Sequence, residues 1–364
     1  MAPLDLAAPV EQLARQLVDI PSVSGSEREI ADAVESALKA CAHLSVIRDG
    51  DAIVARTDLG RRERVIIAGH LDTVPIAGNV PATWADAGAT LVGRGTVDMK
   101  AGVAVLLSVA AEVSDPVRDI TWIFYDHEEV EETKNGLGRL ARNHPDLLQG
   151  DFAVLGEPTS ARIEGGCNGT VRVDVTIPGV AAHSARSWKG VNAIHAAGPL
   201  LHALATYEPA TVSVDGLDYR EGLNAVGIRG GIAGNVVPDS CVVTINYRFA
   251  PAHSTDDAIE HVRRVVADSG LTDVGFEVTD RADACRPGLE APLATSFVAA
   301  VASTGVGPPT AKFGWTDVAR FGALGIPAVN YGPGNPELAH ADNENCAVAE
   351  IVQCRAGLAA WLTA

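Results

Sequence analysis

No C-x-x-C pair occurs in this chain; its six cysteines stand apart at positions 41, 167, 241, 285, 346 and 354. That spacing indicates neither a disulfide framework nor a cysteine zinc site, and it fits the reduced thiols of a cytoplasmic protein. Positive charge is also short. Lys and Arg number 28 against 46 Asp and Glu, a net −18. Nucleic-acid partners need basic patches, so that class is not expected. A small anionic substrate stays open, because a few local arginines outweigh a diffuse distant charge. No stretch approaches about 18 uncharged apolar residues, so no membrane span is expected. The first residues lack a basic segment followed by an apolar core, so no secretory signal is expected. At 364 residues and 47% apolar composition, the chain has the material for large cores and reads as two globular domains.

Residues 65–68 form a short, mostly β-branched apolar run that stops at Gly69, the pattern of a buried strand. His70 and Asp72 stand at its end. Side chains two apart on an extended chain lean the same way. His70 is thus placed to bind a metal through one ring nitrogen while Asp72 steadies the ring. In open α/β sheets, sites form at the carboxyl ends of strands.

The rest of the chain repeats that design. Helices are expected over 9–18 and, from a Ser26/Glu29 capping box, to about residue 40. Strands are expected over 44–48, 51–56 and 64–69, and a long loop over 71–95. Asp98 precedes a small-residue apolar helix over 103–113. An apolar strand over 120–125 delivers the acidic run 126–132, a helix spans 135–142, and a strand over 152–155 ends in Gly156-Glu157-Pro158. From about residue 165 the order becomes strand 170–177, helix 191–207, strands 224–230 and 240–249, helix 255–267 and strand 274–279. This βαββαβ order is a split-βαβ sandwich. Helix 292–303, a segment near 310–313, strand 327–331 and helix 347–362 then resume the earlier style. The economical division is a domain of 1–164 plus 282–364 with a second domain, 165–281, inserted. His70, Asp98, Glu128 or Glu129, Glu157 and His340 each fall at a strand end or before a helix. Imidazole and carboxylate without thiolate suit zinc, manganese or cobalt. Five such donors exceed one catalytic zinc site and suit two metals sharing a carboxylate.

Five motifs carry a resemblance: His70-Leu71-Asp72-Thr73-Val74-Pro75; residues 93–100 around Asp98; Asp126-His127-Glu128-Glu129; Leu155-Gly156-Glu157-Pro158-Thr159; and Ala339-His340-x-x-Asn343-Glu344. In this order, and across essentially the whole chain, they resemble the dinuclear-zinc deacylase and exopeptidase family. The resemblance implies an α/β, mixed-sheet, zinc-exopeptidase-like catalytic domain with an inserted α+β lid and dimerisation domain. It implies two Zn2+ per subunit, with Co2+ or Mn2+ as substitutes. Asp98 would bridge them, with His70 and Glu157 on one and Glu129 and His340 on the other. Asp72 would orient His70, Glu128 would be the general base, and the Asp98–Met99 peptide would be cis. In the inserted domain, His183 would reach across a homodimer to the partner's active site and stabilise the oxyanion. Asn235, Arg248, Gly314 and Thr316 resemble substrate-binding positions. His127 replaces an acid common in the family and reads as an outer contact. His43, His144, His195, His202, His253 and His261 read as structural or solvated, and Cys346 as core.

The substrate implied is a small N-acyl amino acid. Tyr125-Asp126-His127-Glu128-Glu129-Val130-Glu131, with Asn135 to Arg139, resembles the actinobacterial desuccinylase branch. That implies hydrolysis of N-succinyl-LL-2,6-diaminopimelate to succinate and LL-2,6-diaminopimelate, a step of lysine biosynthesis. Cys167-Asn168 stands where another branch has an arginine pair, and Ser187 where it has proline. One carboxylate clamp is therefore absent; Arg172 and Arg186 are the candidates to replace it. The rival readings are an acetylornithine deacetylase or a dipeptidase or carboxypeptidase of the same family. A non-catalytic metal-binding module is disfavoured by Glu128.

Overall fold

The run around Ile66 forms the strand Arg64–His70, buried from Val65 onward. In the computed structural model, which describes residues 3–364, this strand lies between two parallel neighbours, Asp119–Tyr125 and Phe152–Leu155. Phe152–Leu155 pairs in parallel again with Ala328–Asn330. Strands covered on both faces are apolar throughout rather than alternating, and every residue of these three neighbours is buried. Antiparallel pairing adds Ala52–Arg56 and Ser45–Asp49 at one edge and Glu164–Gly165 at the other. Thr310–Ala311 is outermost in the resulting eight-stranded mixed sheet. The parallel register sets His70 opposite Tyr125 and Ala68 opposite Leu155. The segments that follow these strands therefore emerge at one end of the sheet.

The helix Lys100–Glu112 is apolar on all sides and buried through Ala110. It starts two residues after Asp98, and the Asp98–Met99 peptide is cis. Its first turn needs glycine: a Cβ on Gly102 would stand 2.1 Å from the carbonyl oxygen of Gly156.

Two compact units divide the chain. One comprises the segment up to Gly165 with Pro287–Thr310 and Thr316–Ala364; the other comprises Gly166–Arg286 with Ala311–Trp315. The second unit runs to Arg286, where 281 was expected, and takes up Ala311–Trp315 as well. Its last strand, Gly275–Ala282, pairs with Gly169–Pro178 down to Ala282 opposite Thr170, and the backbones of Cys167 and Cys285, both free thiols, then exchange N–H···O bonds at 3.0 Å. Its sheet has the order Gly222–Gly230, Ser240–Phe249, Gly169–Pro178, Gly275–Ala282, antiparallel throughout. Val171, Val173, Val175, Cys241, Val243 and Ile245 form the buried face, packed with Leu200 and Val262 of the helices Gly198–Ala205 and Thr255–Asp268.

Some expectations are corrected. The Ser26/Glu29 box does not form: the helix is Arg28–Lys39, with Glu27 at its cap position and no side-chain cap bond. The helix expected over 191–207 is two, Ala193–Ala196 and Gly198–Ala205, because Pro199 has no N–H to continue the first. The expected loop 71–95 holds two strands, Thr83–Ala85 and Thr90–Val92, which join Asn345–Ala347 in a three-stranded sheet. Strands of three residues are too short to show a period.

Candidate active site

His70 is fully buried, and the hydrogen bonds of its ring fix its orientation. Nδ1 donates to the backbone oxygen of Asp72 at 3.0 Å, which leaves Nε2 facing Asp98 Oδ1 at 3.0 Å. The Asp72 carboxylate, expected to hold the ring, stands 3.4 Å from Nδ1. It is occupied instead by two backbone N–H groups, of Glu128 and Glu129, each at 3.0 Å, and by the Ser24 hydroxyl at 2.6 Å. Asp72 thus steadies His70 mainly through its carbonyl and the acidic loop through its side chain. Glu27 Oε1 accepts the next amide, from His127, at 3.2 Å.

On the other side, His340 Nε2 lies 3.0 Å from Glu129 Oε1 and 3.4 Å from Asp98 Oδ2. Its backbone has φ +65°, a conformation uncommon outside glycine. Donor atoms of His70, Asp98 and Glu157 lie within 4.8 Å of one another, and so do those of Asp98, Glu129 and His340. The two triads share Asp98. With bonds of about 2.0–2.1 Å to a tetrahedral zinc, donors of one ion sit roughly 3.3–3.5 Å apart, so each triad would draw in around an ion. A third group, His70, Glu128 and Glu129, meets the same criterion, which sets Glu128 beside the pair.

The electrostatics match this donor set. Burial works against charge on His70, yet the Asp72 and Asp98 carboxylates raise it well above the usual imidazole range. Hydrogen bonds to Asp98 and Glu129 push His340 up to about 10. Burial also works to raise Asp98, but the bonds from His340 and His70 win and hold it below the usual carboxylate range. Because His70 Nδ1 already donates to the Asp72 carbonyl, its Nε2 meets Asp98 Oδ1 only with a second proton or a cation at that nitrogen; at His340 an N–H or a cation serves. Glu128 is pushed well up, first by burial; His70 opposes this, and Glu157, Asp317 and Glu129 add to it.

The other expected residues fall as follows. The Thr316 hydroxyl donates to Asn330 Oδ1 at 2.8 Å in the buried part of the first unit. Gly314 lies in the second unit, as do His183, Asn235 and Arg248. His183 pairs with Val236 across a two-strand ladder, and the backbone N–H of Ser184 donates to the Asn235 carbonyl at 2.9 Å. His183 Nδ1 accepts the N–H of Ala185 at 3.1 Å, so the proton of the neutral ring sits on Nε2. Arg248 is half-buried on the sheet face opposite the core; burial, then Arg172, lowers its guanidinium. Two contacts belong to residues given no role from the sequence. Ser24 reads as a turn residue, and Glu344 as the end of a loop. Yet Glu344 Oε1 accepts the N–H of Gly95, Val97 and Asp98 at 3.0, 2.8 and 3.0 Å.

The profile of peptidase family M20/M25/M40 matches residues 66–364. The chain belongs to that family. Among M20 relatives, a Corynebacterium glutamicum protein named succinyl-diaminopimelate desuccinylase is 44% identical over 365 residues, 99% of this chain and 98% of the relative. A Mycobacterium tuberculosis protein provisionally named succinyl-diaminopimelate desuccinylase DapE is 52% identical over 349 residues, 96% of each chain. The M20 fold is also shared with a crystal structure of a Staphylococcus aureus tripeptidase, with TM-score 0.81 and 20% identity over 99% of this chain and 98% of that one. No helix among the described residues is long and apolar enough to cross a membrane.

Proposed function

We propose that this M20 protein is a metal-dependent amide hydrolase that converts N-succinyl-LL-2,6-diaminopimelate and water to succinate and LL-2,6-diaminopimelate. The observation that carries the chemistry is the pair of triads sharing Asp98, with Glu128 alongside. The acyl group comes from the desuccinylase relatives at 44% and 52% identity over nearly the whole chain. Two Zn2+ per subunit, replaceable by Co2+ or Mn2+, would be held by His70, Asp98 and Glu157 and by Asp98, Glu129 and His340. When bound, such cations acidify water and polarise the amide carbonyl.

The chain's own groups do the rest. Asp72 sets the ring of His70 and the backbone of the acidic loop. Glu128 takes the proton of the attacking water and delivers it to the leaving amine nitrogen. Glu128 is half-buried beside the triads, and its ionised carboxylate is the form that takes the proton and then releases it. His183, with its proton on Nε2, is a donor for the developing oxyanion. Arg248 has the fork to take a substrate carboxylate; Asn235, Gly314 and Thr316 are the further substrate positions.

A homodimer through the inserted domain belongs to the same reading. Val226 and Ile228 are 58% and 53% exposed on the strand Gly222–Gly230, which is an edge of its sheet, and Trp188 and Ile232 of that unit are 77% and 85% exposed. Unpaired edges and exposed apolar patches are the usual substance of interfaces. The place of action is the cytoplasm. Purified protein is to be assayed on N-succinyl-LL-2,6-diaminopimelate and on N-acetylornithine, before and after chelation. Faster succinyl cleavage, abolished by chelator and restored by Zn2+, is expected. Faster cleavage of acetylornithine would overturn the substrate assignment, and chelator-insensitive turnover the metal chemistry.

A further inference from the structure

We propose that Glu344 is a positioning residue for both cation sites. It sets the backbone that carries Asp98 and ties it to the loop that carries His340. The inference rests on the two-cation reading above. Glu344 is 1% exposed, and a carboxylate so buried persists only where its charge is met by donors. Oε1 takes the three amides of Gly95, Val97 and Asp98, and Oε2 takes Arg94 Nη1 at 2.8 Å. The amide of Asp98 is thereby fixed next to its own Cα, so the direction of its side chain follows. Asp98 is the acid common to both triads.

The tie runs in both directions. The backbone oxygen of Glu344 accepts the N–H of Gly93 at 3.0 Å, and Arg94 Nη1 also donates to the Ala341 carbonyl at 3.1 Å. Residues 93–98 and 340–344 therefore form one hydrogen-bonded assembly. His340 sits in that assembly with its φ of +65°, a conformation that persists only where the surroundings hold it. The acidic loop at 127–129 is held by the same device, with Glu27 and Asp72 as the accepting carboxylates. Glu344 and Asp72, distant in sequence and in neither triad, fix the amides of Asp98 and Glu129, and Glu27 fixes the amide of His127 at the start of the same loop. Partners of this kind are typically worth about 10–100-fold in metal affinity.

The test is a Co2+ titration of metal-stripped protein, read by visible absorption and by competition with a chelator. Wild type, Glu344→Gln, Glu344→Ala and Asp119→Asn are compared, each with its unfolding midpoint. Asp119 is the control: it is also buried and also accepts two backbone N–H groups, of Leu59 and Arg61, but it begins the strand whose other end, Tyr125, pairs with His70. Wild type is expected to take two equivalents. Glu344→Gln should weaken both by about 10–100-fold and Glu344→Ala by more, whereas Asp119→Asn should leave both affinities in place even as its midpoint falls. Gln keeps the size and one acceptor oxygen, so it carries the comparison if the alanine variant does not fold. Wild-type affinities in Glu344→Gln, weakening of one site alone, or equal weakening in Asp119→Asn for an equal loss of stability would each overturn the proposal. A wild type that binds no Co2+ removes the two-cation reading itself, and this inference with it.

Discussion

Glu128 and Glu129 are neighbours in sequence with different surroundings. Glu129 is 3.0 Å from His340 and shares a triad with Asp98, whereas Glu128 stands beside that triad; burial raises both carboxyls, Glu128 the further. Two like side chains with divergent environments are a recurrent arrangement for dividing binding from proton transfer. Replacing Glu128 by alanine is therefore expected to leave metal content unchanged and to lower turnover by about 10²–10⁴-fold. Metal analysis beside steady-state kinetics checks this, and near-wild-type turnover in loaded protein would remove Glu128 from the proton path. At this scale the sequence showed a good deal. His70, Asp98, Glu157 and His340 were expected from strand-end histidines and acids taken together rather than from any one of them, and the choice of Glu129 over Glu128 came from the resemblance of five motifs. Ser24 and Glu27 were not, and Glu344 stood at the end of a motif without a role. An acid that accepts backbone amides looks in sequence like any solvated loop acid.

Among the elements, the helix Lys100–Glu112 and the strand Phe152–Leu155 do the most to place ligands, one following Asp98 and the other preceding Glu157. They approach so closely that Gly102 has no room for a methyl group. Gly102→Ala is expected to lose about 1–3 kcal/mol of stability through overpacking. Because the obstructing atom belongs to Gly156, next to Glu157, cation content should fall as well. A denaturant midpoint with metal analysis reads both effects; a stable variant with full metal content would show that the helix shifts without disturbing Glu157. Long strands and helices were legible from their periods. The split at Gly198-Pro199 and the short strands Thr83–Ala85 and Thr90–Val92 were misread. In the first case one proline overrode an apolar helical pattern; in the second the pairing partner, Asn345–Ala347, lies far along the chain.

For the molecule as a whole, the proposed dimer makes a test that neither subunit passes alone. Glu128→Ala lacks the base, and His183→Ala lacks a donor whose loss is expected to lower turnover by about 10²–10³-fold. If His183 serves the partner's active site, mixing the two variants and allowing subunits to exchange should restore activity, since a mixed dimer holds one complete site. Activity that stays at the level of the separate variants after exchange, verified by native mass spectrometry, would confine His183 to its own subunit or to a structural role.

The sequence alone determined the donor types, the strands and helices that carry them, the βαββαβ insertion and the resemblance to a metal-dependent hydrolase family. These follow from local pattern and from residue chemistry, both of which are written along the chain. Only the tertiary structure decided that the Asp72 side chain takes the amides of the acidic loop as well as standing 3.4 Å from the imidazole, and that Glu344 closes on the amides before the cis peptide. Those are matters of which distant groups meet. A carboxylate in sequence carries charge but no direction, and its partners are chosen only when the sheet brings strand ends together.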